Sequence, residues 1–158
     1  MGTLPQLIEE DIALLDGALR ELLVKSEAST ALIADKGGFL ITSKGNDLDF
    51  DLTSIAALAS GAFMASQVIA TLAQETGFNS TYQQGENFSL FVINVDENCL
   101  LVVIFKSQTG IGVVKFYSAD AVQGLAKQIA VAAARAPGHG FDLSELNLAN
   151  PQELFRKK

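Results

Sequence analysis

Very little in this chain is suited to covalent or metal chemistry. Its 158 residues include one cysteine, Cys99, one histidine, His139, no tryptophan and three arginines, Arg20, Arg135 and Arg156. A lone cysteine excludes an intrachain disulfide, and its setting in the apolar run Cys99 to Phe105 is that of a buried reduced thiol rather than a nucleophile. His139 lies in the linker-like Pro137-Gly138-His139-Gly140, a poor support for a catalytic triad. No Cys/His cluster has zinc spacing, and Asp47, Asp49 and Asp51 lack the glycine and distal glutamate of a calcium loop. Gly110-Ile111-Gly112 is an isolated GxG and no GxxxxGK[ST] is present, so no phosphate cradle is visible. The expectation is a protein with no catalytic residue of its own, no metal and no cofactor.

Basic residues are also scarce. Eleven Lys and Arg against 18 Asp and Glu leave a net charge of -7, and an acidic surface repels phosphate backbones and anionic lipid. Nucleic acid is therefore not an expected partner. The N-terminus, MGTLPQLIEEDIALL, carries acids where a secretory leader has basic residues, and Gln6 occupies the position where an acylation signal needs Ser or Thr. These features suggest a cytoplasmic protein.

Against that background one stretch stands out. Leu52 to Gln74 runs for 23 residues without a charge. Read as a helix, it places Ile55, Leu58, Ala62, Ile69 and Leu72 on one face, the expected core face. The opposite face presents Ala57, Ser60, Gly61, Met64, Val68 and Thr71, with Phe63 at its border and Gln67 as its clearly hydrophilic member. A helix apolar on both sides is sandwiched by its own chain, spans a membrane or meets another protein. Thr53, Ser54, Ser60, Ser66, Gln67, Thr71 and Gln74 are many polar groups for hydrocarbon, so no membrane insertion is expected and a protein contact is favoured.

The remaining segments frame this helix. Apolar spacing at Ile8, Ile12, Leu15, Leu19 and Leu22 predicts an amphipathic helix from about Pro5 to Lys25. Thr30–Ala34 and Phe39–Ser43 flank Asp35-Lys36-Gly37-Gly38 as a hairpin. Asp49 or Asp51 can cap the uncharged helix, which is expected to run to about Glu75 with Gly77 as its stop. Three strands follow, Asn79–Gln84, Phe88–Asn94 and Leu100–Phe105. The last is continuously apolar, as a strand covered on both faces must be. Asn79, Thr81, Tyr82 and Gln83 belong to a nearly wholly polar segment, which reads as an edge with neither proline nor charge to block pairing. Ile111–Tyr117 has strand propensity, whereas Val122, Leu125, Ala126, Ile129 and Ala133 keep helical spacing. One domain over residues 1–136 is expected. Beyond it, 137–158 forms a linker and a tail with one short helical turn at Asn150-Pro151, whose apolar residues should dock on this chain or on a partner.

The resulting order α-β-β-α-β-β-β-α resembles the Roadblock/dynein-light-chain domain family. Three stretches strengthen the likeness: Leu32–Ile41 as its first hairpin, Leu52–Gly61 as its second helix, and Leu100–Phe105 as its last strand, followed by Gly110–Lys115. Within the family the chain is most similar to the bacterial MglB type, the co-regulator of a Ras-like gliding-motility and polarity GTPase. The resemblance implies an α+β sandwich: a five-stranded antiparallel sheet with the second helix on one face and the first and last helices on the other. It also implies that the last helix extends back through Val113 to Tyr117, and that two chains pair by their second helices and third strands. The platform so formed would bind a small Ras-like GTPase (MglA type) and stimulate hydrolysis. Carried onto this sequence, the partner-binding positions are Ala57, Ser60, Gly61, Phe63, Met64, Gln67, Val68 and Thr71. No arginine falls in the second helix or in the hairpin loops, so any activation would reposition the partner's own switch residues rather than insert an arginine finger. The alternatives are a non-catalytic homodimeric scaffold and a small-molecule sensor with polar groups converging on an interior pocket.

Overall fold

The computed structural model describes residues 4–46 and 49–135. The expected tail, 137–158, lies outside the described residues. The elements are α1 (Glu9–Ser26), β1 (Thr30–Asp35), β2 (Leu40–Gly45), α2 (Leu52–Leu72), β3 (Ser80–Gln83), β4 (Phe88–Asn94), β5 (Cys99–Lys106), a short 3-10 turn (Ser107–Thr109) and α3 (Ile111–Ala134). All strand pairings are antiparallel, in the order β2-β1-β5-β4-β3. The fold is the expected α+β sandwich, with β5 at its centre. Its residues Cys99 to Phe105 are buried without interruption because side chains of both orientations are covered.

Alternation along the strands divides the core in two. Ala31, Ile33, Leu101, Val103 and Phe105 point toward α1 and α3 and join Leu15, Leu19, Leu22, Val114, Leu125 and Ile129. Leu32, Ala34, Leu100, Val102 and Ile104 point the other way and meet Leu52, Ala56, Ala59 and Phe63 of α2. Strand period two therefore sets which core each residue serves.

Several boundaries differ from expectation for local reasons. α1 starts at Glu9 rather than in the first turn after Pro5, because the Asp11 carboxylate accepts the Ile8 N–H at 2.9 Å and closes the helix start there. α2 stops at Leu72, short of Glu75. Ala73 caps it and Gln74 turns left-handed at φ 63, so the chain leaves the helix before Gly77 is reached. At its start Asp51 is the cap, accepting from Ser54 N at 3.2 Å and from the Ser54 hydroxyl at 2.7 Å. α3 begins at Ile111, two residues before the start that the family resemblance implies. The β-branched run Ile111–Tyr117 is helical despite its strand propensity, because Val114 and Ser118 pack beneath the sheet at helical spacing.

Candidate functional site

The surface to be explained is the side of α2 turned away from the sheet. Its phase differs from the sequence expectation. Ile55 is half-buried, but Leu58, Ala62, Ile69 and Leu72, expected in the core, face outward, with Leu58, Ile69 and Leu72 at 73%, 65% and 79% exposure. The inward face is Leu52, Ala56, Ala59, Ser60 and Phe63. Phe63 decides the rotation. Its ring is the largest side chain on the helix and packs against Phe78 with centroids 5.0 Å apart, over the α2-side core. Ser60 and Phe63 are thus corrected from partner-facing to buried, and Met64 is half-buried against the same core.

Ser60 has a structural partner. Its hydroxyl donates to the Asp35 carbonyl at 3.1 Å, while the Asp35 carboxylate accepts the Phe39 N–H at 2.9 Å. The β1–β2 turn is thereby fastened to α2. Gly38 lies at the contact with φ +100, and a Cβ there would come within 3.3 Å of the Ala57 backbone, so the turn and the helix approach as closely as a glycine permits.

Of the predicted positions, Ala57, Gly61, Gln67, Val68 and Thr71 are brought together on the exposed face. Leu58, Ala62, Ala65, Ile69 and Leu72 complete it, and these are the residues that sequence reasoning misplaced. The signal that could have placed them is Phe63: turning that ring inward rotates the rest outward. The face carries no charge along its whole length, and its centre is small. Gly61 has open space where a Cβ would sit, so nothing among the described residues requires glycine there. Over its most apolar 18 residues α2 has a mean hydropathy of 1.7 with only 22% of the window buried, and by length and composition it could cross a membrane. Its contact with the sheet instead makes it one layer of the sandwich, covered by the described residues on a single side.

The polar edge lies beside this face. Among the described residues β3 pairs only with β4, and no described strand covers its outer backbone groups. By register Thr81 and Gln83 stand opposite Val92 and Leu90 on the α2 side, and Tyr82 stands opposite Phe91 on the other, where it stacks near Phe105 at 6.2 Å. Asn79 precedes the strand, its carbonyl accepting from Asn94 N at 2.8 Å. A notch of about 340 Å³ at the end of α2 is lined by Gln67, Thr71, Gln74, Glu75 and Phe78 among others. It opens at the surface and not within the core.

The buried ionisable groups, Asp11 and Cys99, lie on the other side of the sheet from α2. Asp11 is fully buried between α1 and α3, where Arg135 donates to both of its oxygens at 2.8 and 2.9 Å and Gln128 adds a bond at 2.8 Å. The guanidinium holds this carboxyl down at about 2. Burial pushes the Cys99 thiol up to about 12, which leaves it protonated and inert at neutral pH. Among the described residues no cluster of His, Cys, Asp and Glu could hold a metal.

Residues 14–105 match the Roadblock/LC7 domain, more than half of the chain and all five strands except the last residue of β5. The chain belongs to the Roadblock/LC7 family. No curated protein matches it. Among solved structures, this Roadblock domain is similar to an MglB with a tetrameric arrangement, at 27% identity and a TM-score of 0.76 over 84% of this chain and 99% of that one. The gliding protein MglB of Thermus thermophilus is 28% identical, with a TM-score of 0.75 over 83% and 99% of the two chains. MglB of Myxococcus xanthus is likewise 28% identical, with a TM-score of 0.75 over 82% and 98%.

Proposed function

We propose that this Roadblock protein is a homodimeric regulator of a small Ras-like GTPase of the MglA type, acting in the bacterial cytoplasm in motility or cell polarity. The observation that carries the reading is the uncharged outer face of α2, where Leu58, Val68, Ile69 and Leu72 stand exposed around Gly61. Two copies pair through α2 and the open β3 edge, and the paired helices form the platform the GTPase meets. Its likeness to MglB proteins supports the choice of partner.

Stimulation of hydrolysis proceeds by holding the GTPase's own switch residues in place. Arg20 stands exposed on α1 and Arg135 is committed to Asp11, both in the layer on the far side of the sheet from α2. Among the described residues the platform side therefore has no arginine to offer a transition state. Single-turnover GTP hydrolysis by an MglA-type GTPase, with and without saturating protein, tests this. A faster single turnover is expected, abolished by Val68→Arg. Binding without acceleration would establish the scaffold reading in its place, and absence of binding would remove the GTPase altogether.

A further inference from the structure

α3 keeps one side turned away from both the sheet and α1. Val114, Ser118, Leu125, Ile129 and Ala132 are buried toward the sheet, while Gln128 and Arg135 reach Asp11 of α1. On the remaining side Val113, Phe116, Asp120, Lys127, Val131 and Ala134 are all exposed, Phe116 by 70%. At about 100° per residue they fall within an arc of roughly 60°, with Gly124 beside them. Their order along the helix is symmetric. Val113 and Ala134, Phe116 and Val131, and Asp120 and Lys127 stand in pairs equally far from the midpoint between Gln123 and Gly124. A second α3 laid antiparallel across that midpoint brings the members of each pair to the same level. Phe116 then meets Val131 of the other copy, Asp120 meets its Lys127 and Val113 meets its Ala134, each contact occurring twice.

We propose that α3 pairs with α3 of a second copy in this antiparallel register, about a two-fold axis between Gln123 and Gly124. Charge supports a second copy as the occupant. The whole chain carries -7, and a face with that excess would repel its own kind. On the outer sides of α1 and α3, however, the carboxylates Glu10, Glu21 and Asp120 stand with three lysines, Lys25, Lys115 and Lys127, and Asp11 and Arg135 cancel. The other charges of α1, Glu9, Asp16 and Arg20, follow the side turned to β2, where Asp16 pairs with Lys44. Within one copy Lys25 pairs with Glu21 at 2.6 Å and acts also on Asp120, and Glu10 acts on Arg135. Lys127 has no ion pair among the described residues, and the second copy's Asp120 supplies one. Such exposed pairs fix register more than affinity, while Phe116 on Val131 removes apolar surface from water. Gly124 suits the crossing point. A Cβ there would meet open space, so nothing among the described residues requires glycine, and its missing side chain lets a second backbone come close. The pairing does not rest on the α2 reading, since α2 and α3 lie on opposite faces of the sheet.

Disulfide trapping in the full chain tests it. Phe116→Cys and Val131→Cys stand roughly 22 Å apart along one helix, too far for a bond within the chain. The natural Cys99 is buried and takes no part. Under mild oxidation the doubly substituted chain should give a disulfide-linked dimer on a non-reducing gel. Linkage should be at least about 10-fold faster than for Phe116→Cys with Ala133→Cys, because Ala133 is exposed but lies off the seam. Adding Asp120→Lys or Lys127→Asp to the first cysteine pair should slow linkage about 10-fold, since each variant sets like charges against each other. An equimolar mixture of those two variants should restore it, because unlike chains then present opposite charges at both contacts. No linked dimer, equal rates for the two cysteine pairs, or slowed linkage that the mixture fails to restore overturns the proposal.

Discussion

Among the described residues, two helices on one side of the sheet pack against each other as well as against the strands, and on the other a single helix lies across the strands with no helix beside it. The α1/α3 layer is locked by a buried ion pair with four hydrogen bonds on one carboxylate. The α2 layer has no ionisable residue from Leu52 to Gln74 and holds to the sheet through Phe63, Ala56, Ala59 and one serine hydroxyl. Both helix layers bury enough apolar surface to hold the fold. They differ in what remains outside: α2 keeps Leu58, Val68, Ile69 and Leu72 largely in solvent, where each forfeits up to roughly 1.5–3 kcal/mol that burial would recover. The proposed pairing of two copies would recover part of that energy.

Substitutions that separate the inner from the outer side of α2 test the contrast most severely. Phe63→Ala should cost about 3–5 kcal/mol in urea unfolding, because it leaves a cavity between α2 and Phe78. Leu72→Ala, four-fifths exposed, should change monomer stability by less than about 0.5 kcal/mol. Equal effects would mean that the helix is rotated from the position described.

Next in size is the lock of the other layer. Arg135→Ala should destabilise by about 3 kcal/mol, since it leaves the Asp11 carboxylate buried with its cation gone. In the wild type Asp11 is depressed from 3.8 to about 2, so the folded state releases its proton at a lower pH than the unfolded chain does. The stabilisation is fully present above about pH 4 and is lost as the pH falls toward 2. The variant should show a flatter acid limb in stability against pH than the wild type. An unchanged limb would dissociate Asp11 from acid unfolding.

A third substitution sharpens the outward face itself. Val68→Arg places a charge on the uncharged surface and should weaken self-association at least about 100-fold by light scattering, with the circular dichroism of the fold unchanged. Gly61→Ala is the smallest change. With open space at its Cβ, it should raise the stability of the isolated chain by about 0.5–1 kcal/mol through helix propensity while weakening association. A gain in both would show that no backbone approaches Gly61.

The order of elements was legible because strands and helices here keep different periods, and β5 could be placed centrally because only a doubly covered strand tolerates an unbroken apolar run. The β3 edge was legible for the converse reason, since Ser80 to Gln83 contains nothing that needs two covers. Of the outward face of α2, half of the residues were legible. Ala57, Gly61, Gln67, Val68 and Thr71 face outward as expected, while Ser60 and Phe63 turn inward and Leu58, Ile69 and Leu72 turn out.

By itself the sequence determined that this protein has little to perform chemistry with and one helix with too much apolar surface, because both follow from counting residue types along the chain. Only the tertiary structure decided which side of that helix meets the sheet. Apolar residues surround α2 on all sides, so local periodicity has no preferred phase, and the choice falls to whichever ring best fills the space above Leu32, Val102 and Ile104. The Asp11–Arg135 lock needed the fold for a different reason. Its partners are 124 residues apart, and no pattern within a helix can report a pairing made between two of them.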